Sequence, residues 1–94
     1  MKVRYTNRAF RDREEILTYL KARSPSGARN VLERFDAAAA LLGEQPSAGV
    51  PTDMSDARVL FVGRYPYKLF YRIRDDAVEI LHIRHTARSS LTTL

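Results

Sequence analysis

Residues 66–88 read Pro-Tyr-Lys-Leu-Phe-Tyr-Arg-Ile-Arg-Asp-Asp-Ala-Val-Glu-Ile-Leu-His-Ile-Arg-His-Thr-Ala-Arg, and this stretch decides the fold. Two β-type runs, 67–74 and 77–84, flank Asp75-Asp76. A two-residue turn at that point sets Arg72 opposite Glu79, Tyr71 opposite Ile80 and Ile73 opposite Val78. The first pair is oppositely charged and the other two are apolar, so the register is self-consistent. Strict alternation then gives one face Tyr67, Leu69, Tyr71, Ile73, Val78, Ile80, His82 and Arg84, and the other Lys68, Phe70, Arg72, Glu79, Leu81, Ile83 and His85. The second run closes in basic and imidazole groups. The hairpin is therefore expected to carry Lys68, Arg84, His85 and Arg88 to one end of a small sheet, a cluster suited to a phosphate-rich partner.

Working outward, residues 2–5 read as a first strand. Thr6 or Asn7 then caps a helix running to about residue 23, its side-chain oxygen accepting from an otherwise unpaired N–H. The apolar stripe of this helix holds Phe10, Ile16, Leu17 and Leu20 and is interrupted by Arg13. Glu14 and Glu15 near the start and Lys21 and Arg23 near the end suit the helix dipole. Ser24-Pro25 is the junction, with serine capping the next helix and proline in its first turn. Ala28, Val31, Leu32, Phe35, Ala38, Ala39 and Leu42 follow at spacings of three and four. Gly43 is expected as a left-handed C-terminal cap, and Pro46 blocks continuation. So short a linker implies an antiparallel αα-hairpin.

Residues 44–56, with their Gly, Pro, Ser and Asp, read as a loop. Residues 57–62 read as the second strand and 63–66 as a connection. The order β-α-α-β-β-β makes an α+β fold: an N-terminal strand, an αα-hairpin, then a three-stranded antiparallel meander, as one domain over residues 1–94. Two helices cover one face of such a sheet. The other face has Phe70, Leu81 and Ile83 to hide, beneath either residues 89–94 or another chain.

The chain has 94 residues, 45% of them hydrophobic, and no cysteine. That excludes disulfides and thiolate metal sites. No apolar run approaches the roughly 20 residues of a membrane span. Met1-Lys2-Val3-Arg4-Tyr5 enters a strand at once and does not read as a signal peptide. A cytoplasmic protein with no membrane partner is expected. The net charge of +5 is unevenly spread: residues 1–34 carry nine basic and four acidic groups, residues 35–57 no basic and four acidic, residues 58–94 seven basic and three acidic. Such an excess favours anionic partners.

The helix pair at 7–43, then Arg58-Val59-Leu60, Gly63-Arg64-Tyr65-Pro66-Tyr67-Lys68-Leu69-Phe70-Tyr71-Arg72 and Ile80-Leu81-His82-Ile83-Arg84-His85-Thr86-Ala87-Arg88, form an ordered set. That set, over nearly the whole chain, resembles the RelE/ParE family of bacterial toxins. The resemblance implies the toxin of a type II toxin-antitoxin system. Its partner would be a small ParD-like antitoxin whose acidic or amphipathic tail folds onto it. RelE-like relatives cut messenger RNA on the ribosome with basic residues of the sheet and often a C-terminal tyrosine. ParE-like relatives poison DNA gyrase, a role tied to plasmid stabilisation.

Lys68 stands at a position that is basic in the ribonucleases, Arg88 at a second, and Arg58 near a third. Leu60 breaks the lysine pair typical of that third position, and Leu94 replaces the tyrosine. Tyr65-Pro66-Tyr67 with His85-Thr86-Ala87-Arg88 is more similar to the ParE side. The resemblance thus implies a ParE-like inhibitor of gyrase. The alternatives are a RelE-like ribonuclease acting on ribosome-bound messenger RNA and a non-toxic antitoxin-binding relative.

RNA cleavage through the 2′-hydroxyl needs a base, a cation to steady the phosphorane and an acid for the leaving oxygen. His85 has the intrinsic pKa range for acid–base work. With Arg58, Lys68 and Arg88 it makes the candidate nuclease set. The favoured reading is plainer: His85 closes the strand by bonding to backbone, and Arg88 binds a partner's carboxylate. His82 and His85 point to opposite faces and cannot share a metal, so neither metal nor cofactor is expected. Tyr67 and Tyr71 read as core residues, while Tyr65 is open to either core or base-stacking roles. The expected target-binding set is Arg64, Lys68, Arg84 and Arg88. The expected antitoxin-binding set is Phe10, Tyr19, Leu42, Phe70, Leu81 and Ile83, with Tyr19 and Leu42 bordering a groove for an amphipathic helix.

Overall fold

The computed structural model describes residues 1–54 and 56–86. Its elements are β1 (Lys2–Tyr5), α1 (Asn7–Arg23), α2 (Pro25–Glu44), β2 (Val50–Pro51), β3 (Arg58–Phe61), β4 (Tyr67–Arg74) and β5 (Ala77–His85). The strands form one five-stranded sheet in the order β1-β5-β4-β3-β2. β1 runs parallel to β5, and the other neighbours are antiparallel. Both helices pack on one face of this sheet, giving the expected α+β fold with one strand added.

Thr6 joins β1 to α1. Its N–H donates to the Ile80 carbonyl at 3.0 Å, while its hydroxyl accepts from the Ala9 N–H at 3.1 Å and donates to the Leu81 carbonyl at 3.0 Å. It thereby caps α1 and fastens it to the sheet. A single residue, Ser24, separates the helices. It closes α1 by donating to the Leu20 carbonyl and opens α2 by accepting from the Gly27 N–H at 3.0 Å. Gly43 is not the left-handed cap expected of it: α2 continues to Glu44 and ends at Gln45. The glycine serves close packing instead, since a Cβ there would lie 3.0 Å from the Met1 carbonyl oxygen.

The region 44–56, expected to be loop throughout, contains β2, which pairs Val50 with Val59 and Pro51 with Arg58. Tyr71 explains how so short a strand is held. Its fully buried hydroxyl accepts from the Gly49 N–H at 2.8 Å and donates to the Pro46 carbonyl at 2.7 Å. A Cβ at Gly49 would sit 2.6 Å from the Val59 carbonyl and 2.8 Å from the Tyr71 ring, so only glycine permits this approach.

Asp75 and Asp76 have φ of +53° and +63°, the left-handed pair of a type I′ turn. The pairs Arg72–Glu79, Tyr71–Ile80 and Ile73–Val78 form as expected. Beyond them the alternation breaks. Phe70 pairs with His82 and Tyr71 with Ile80, so Leu81 is an extra residue on β5. One inserted residue exchanges the faces of everything after it. Ile83 and His85 therefore join Leu69 and Tyr67 on the helix-covered face, while His82 and Arg84 join Phe70 and Lys68 on the other. This corrects the assignment from strict alternation, which had these four the other way round.

The core is formed by Phe35 and Leu42 of α2 with Leu69, Tyr71, Val78 and Ile80 of the sheet, all fully buried. Phe10 is not part of it: it is 53% exposed, because α1 turns Ala9, Ile16, Leu17 and Leu20 toward the sheet instead. No helix among the described residues is long and apolar enough to cross a membrane.

Candidate functional site: the cationic end of the open sheet face

With both helices on one side, the other face of the sheet is left to side chains among the described residues. At the end nearest the β3–β4 connection it carries Phe61, Lys68, Phe70, His82 and Arg84. Lys68 stands directly between Phe61 and Arg84 in the strand register. Its ammonium lies 5.3 Å from the Phe70 ring centre and 6.0 Å from that of Phe61. The Phe70 and His82 rings stack at 4.4 Å with 14° between their planes.

The imidazole of His82 is pushed below its ordinary pKa, first by burial, then by Arg8 and Arg84, with Asp12 opposing and Lys68 adding. Its Nδ1 is buried and lacks a hydrogen-bond partner among the described residues. A protonated ring would bury an N–H with nothing to accept it, a further reason for the neutral form.

The two ends of this face differ in charge balance. Toward the Asp75–Asp76 turn, Glu79 accepts from Arg72 at 2.9 Å and from Arg4 at 3.0 Å. Hydrogen bonds from Arg72 and then Arg4 hold its carboxyl below the usual glutamate range. Lys68 and Arg84, by contrast, form no ion pair among the described residues. No acidic side chain occurs in the sequence after Glu79. The nearby Asp12 is engaged elsewhere: it accepts from the Ile83 N–H at 3.0 Å and lies 4.0 Å from Arg8.

The described nuclease candidates, Arg58, Lys68 and His85, do not converge. Lys68 lies on the open face. His85 lies on the helix side, edge-on to Tyr67 with ring centres 5.5 Å apart. Arg58 is opposite Tyr71 and donates to the Ser47 carbonyl at 3.3 Å, so it braces the turn after α2. Arg88 lies outside the described residues, as does Leu94. Arg64 is exposed in the connection between β3 and β4, at the same end as Lys68 and Arg84. Among the described residues no group of three or more His, Cys, Asp or Glu side chains could hold a metal.

Of the expected antitoxin-contacting residues, Phe10 and Tyr19 are exposed and Phe70 and Leu81 half-buried. Tyr19 lies under the Arg23 guanidinium at 4.4 Å and borders a groove of about 510 Å³ with Val31, Tyr65 and Tyr67. Leu42 and Ile83 are core residues at 0% and 4% exposure and are not available to a surface partner. Leu42 therefore does not border the groove. Of the three tyrosines, Tyr67 and Tyr71 are core, and Tyr65 packs half-buried against it.

Residues 3–90 match the family described as ParE toxin of type II toxin-antitoxin system, parDE. The chain belongs to this toxin family. Toxin RelE2 of Caulobacter vibrioides is 33% identical over 87 residues, covering 93% of this chain and 97% of its own. The Sinorhizobium fredii protein Y4kP is 37% identical over 84 residues, covering 89% and 86% respectively. Among solved structures, the fold is similar to that in the chromosomal ParDE system of P. aeruginosa, with a TM-score of 0.79 at 22% identity over 90% of this chain and 95% of the other. It is also similar to a chain of the RelBE2 toxin-antitoxin complex of Mycobacterium tuberculosis, with a TM-score of 0.58 at 26% identity over 89% and 95%. The toxin's fold is thus that of ParE and RelE proteins.

Proposed function

We propose that this toxin is of the ParE kind: held inactive by a cognate ParD-like antitoxin, and blocking DNA gyrase by binding when released. The observation that carries this reading is the dispersal of the three described nuclease candidates. Lys68 and His85 sit on opposite faces, and Arg58 is tied to the Ser47 carbonyl. A base and a phosphorane-steadying cation must meet at one phosphate, and these do not. The exposed Phe10 and Tyr19 and the groove beside Tyr65 supply apolar anchorage for an antitoxin helix. Lys68 and Arg84, which form no ion pair among the described residues, supply with Arg64 the surface for an acidic target.

The test is a supercoiling assay with purified gyrase and toxin released from its antitoxin. Micromolar toxin should inhibit, antitoxin should restore activity, and the double variant Lys68→Glu/Arg84→Glu should lose the effect. Undisturbed supercoiling at that concentration would remove gyrase as the target. One observation favours a second reading, a RelE-like ribonuclease: Lys68, Arg84 and a neutral His82 share one face. That reading requires discrete cuts in translated messages, lost in Lys68→Ala.

A further inference from the structure

Residues 81–85 of β5 are held in register by more than their own hairpin. From the turn to Ile80 the pairing with β4 is regular; Leu81 is then passed over, and Phe70, Leu69 and Lys68 meet His82, Ile83 and Arg84. This register sets Lys68 and Arg84 directly opposite each other with no ion pair among the described residues, and like charges so placed on a sheet repel. Strict alternation relieves the repulsion, because Lys68 would then meet Ile83 and Leu69 would meet His82. It would also turn Arg84 to the helix side in place of His85, and His82 into the core in place of Ile83. Each register of the hairpin therefore carries a cost of its own.

The first helix decides between them. The Thr6 hydroxyl donates to the Leu81 carbonyl, and the Asp12 carboxylate accepts from the Ile83 N–H, each at 3.0 Å. Successive N–H groups along a strand point to opposite edges, so a slip of one residue would aim the Ile83 N–H at β4 and take it from Asp12. The Asp12 side chain is only 24% exposed, and a carboxylate so placed loses stability with its donor. We infer that Asp12 is a positioning residue: it selects the bulged register and so keeps Lys68 and Arg84 together on the open face. It acts as a hydrogen-bond acceptor at one fixed place, seventy-one residues away in sequence from the amide it holds. That the paired cations serve target binding rests on the gyrase reading. The register is a property of the free toxin and is measured without gyrase, so that one can fail while the other stands.

The experiment is NMR on isotope-labelled full-length toxin, released from its antitoxin. Because the Ile83 N–H goes to Asp12, Leu69 and Ile83 form the closer, non-hydrogen-bonded kind of pair, with α-carbons about 4.5 Å apart. The wild-type toxin should show a contact between their α-protons. Asp12→Ala should weaken it and bring up a Leu69–His82 contact as molecules divide between the two registers. Asp12→Asn keeps an acceptor oxygen in place and should keep the wild-type contact. Deleting Leu81 removes the extra residue, so that regular alternation alone pairs Leu69 with Ile83. In that background Asp12→Ala should leave the contact intact, and should fold even if Asp12→Ala alone does not. A carboxylate that only stabilises would lower the melting temperature and leave the register untouched. Three outcomes overturn the proposal: a full Leu69–Ile83 contact in Asp12→Ala, a shift in Asp12→Asn as large as in Asp12→Ala, or failure of the Leu81 deletion to restore the contact.

Discussion

Tyr71 is the residue on which two parts of the molecule depend. Its ring fills the core and its hydroxyl fixes the turn that follows α2. Tyr71→Phe keeps the ring but leaves the Gly49 N–H and the Pro46 carbonyl without their partner. A loss of about 1–3 kcal/mol is expected, seen as a lower urea midpoint with an unchanged slope. His82 gives a second prediction at this scale. Its folded pKa is depressed from 6.5, so the unfolded chain takes up the proton first as pH falls. Stability contributed by the neutral ring is complete above that value and declines below it, down toward the folded pKa. Urea midpoints measured from pH 8 to pH 5 should fall through this window. His82→Phe, which keeps a ring against Phe70 and cannot titrate, should flatten that limb. The groups facing His82 that shape the effect are Arg8 and Asp12 from α1, Lys68 from β4 and Arg84 from β5.

At the scale of elements, β5 governs the site. β1 pairs with it from Ala77 to Ile80, and among the described residues the outer edge of β5 has no neighbouring strand beyond that point. Side chains of Thr6 and Asp12 take over, one giving a hydrogen to Leu81 and the other accepting one from Ile83. Asp12→Ala should therefore speed hydrogen exchange of the Ile83 amide while the amides of β4 keep their protection. The helix N-caps, the αα-hairpin and the two-residue turn were legible in sequence because each rests on neighbours in the chain: Thr6 with Ala9, Ser24 with Gly27, and Asp75 with Asp76. The extra residue at Leu81 was not, although strict alternation left a clue. It placed His82 and Arg84 in the core line of Tyr67 and Leu69, where an arginine would lie without a partner. The one-residue insertion resolves that conflict by exchanging them for His85 and Ile83.

For the whole molecule, the order of strands and helices and the cationic end of the hairpin followed from periodicity and register. Neither β2 nor the engagement of Asp12 did. Both depend on contacts between residues far apart in sequence, Gly49 with Tyr71 and Asp12 with Ile83. The gathering of Lys68 and Arg84 at one end was expected from the hairpin, but which imidazole joins them depends on the bulge. The charge blocks along the chain likewise do not reveal that Arg4 and Arg72 share one glutamate while Lys68 and Arg84 have no ion pair among the described residues.

The two-residue strand β2 has a consequence for a toxin that has lost its antitoxin. A bare sheet margin invites copies of the same chain to polymerise into fibrils. Here the margin of β3 is partly shielded by a strap ending in Pro51, an imino acid with no N–H to offer an incoming copy. Because the Tyr71 hydroxyl holds that strap in place, loss of this one phenolic oxygen is expected to make the liberated toxin self-associate more readily, seen as added mass in light scattering.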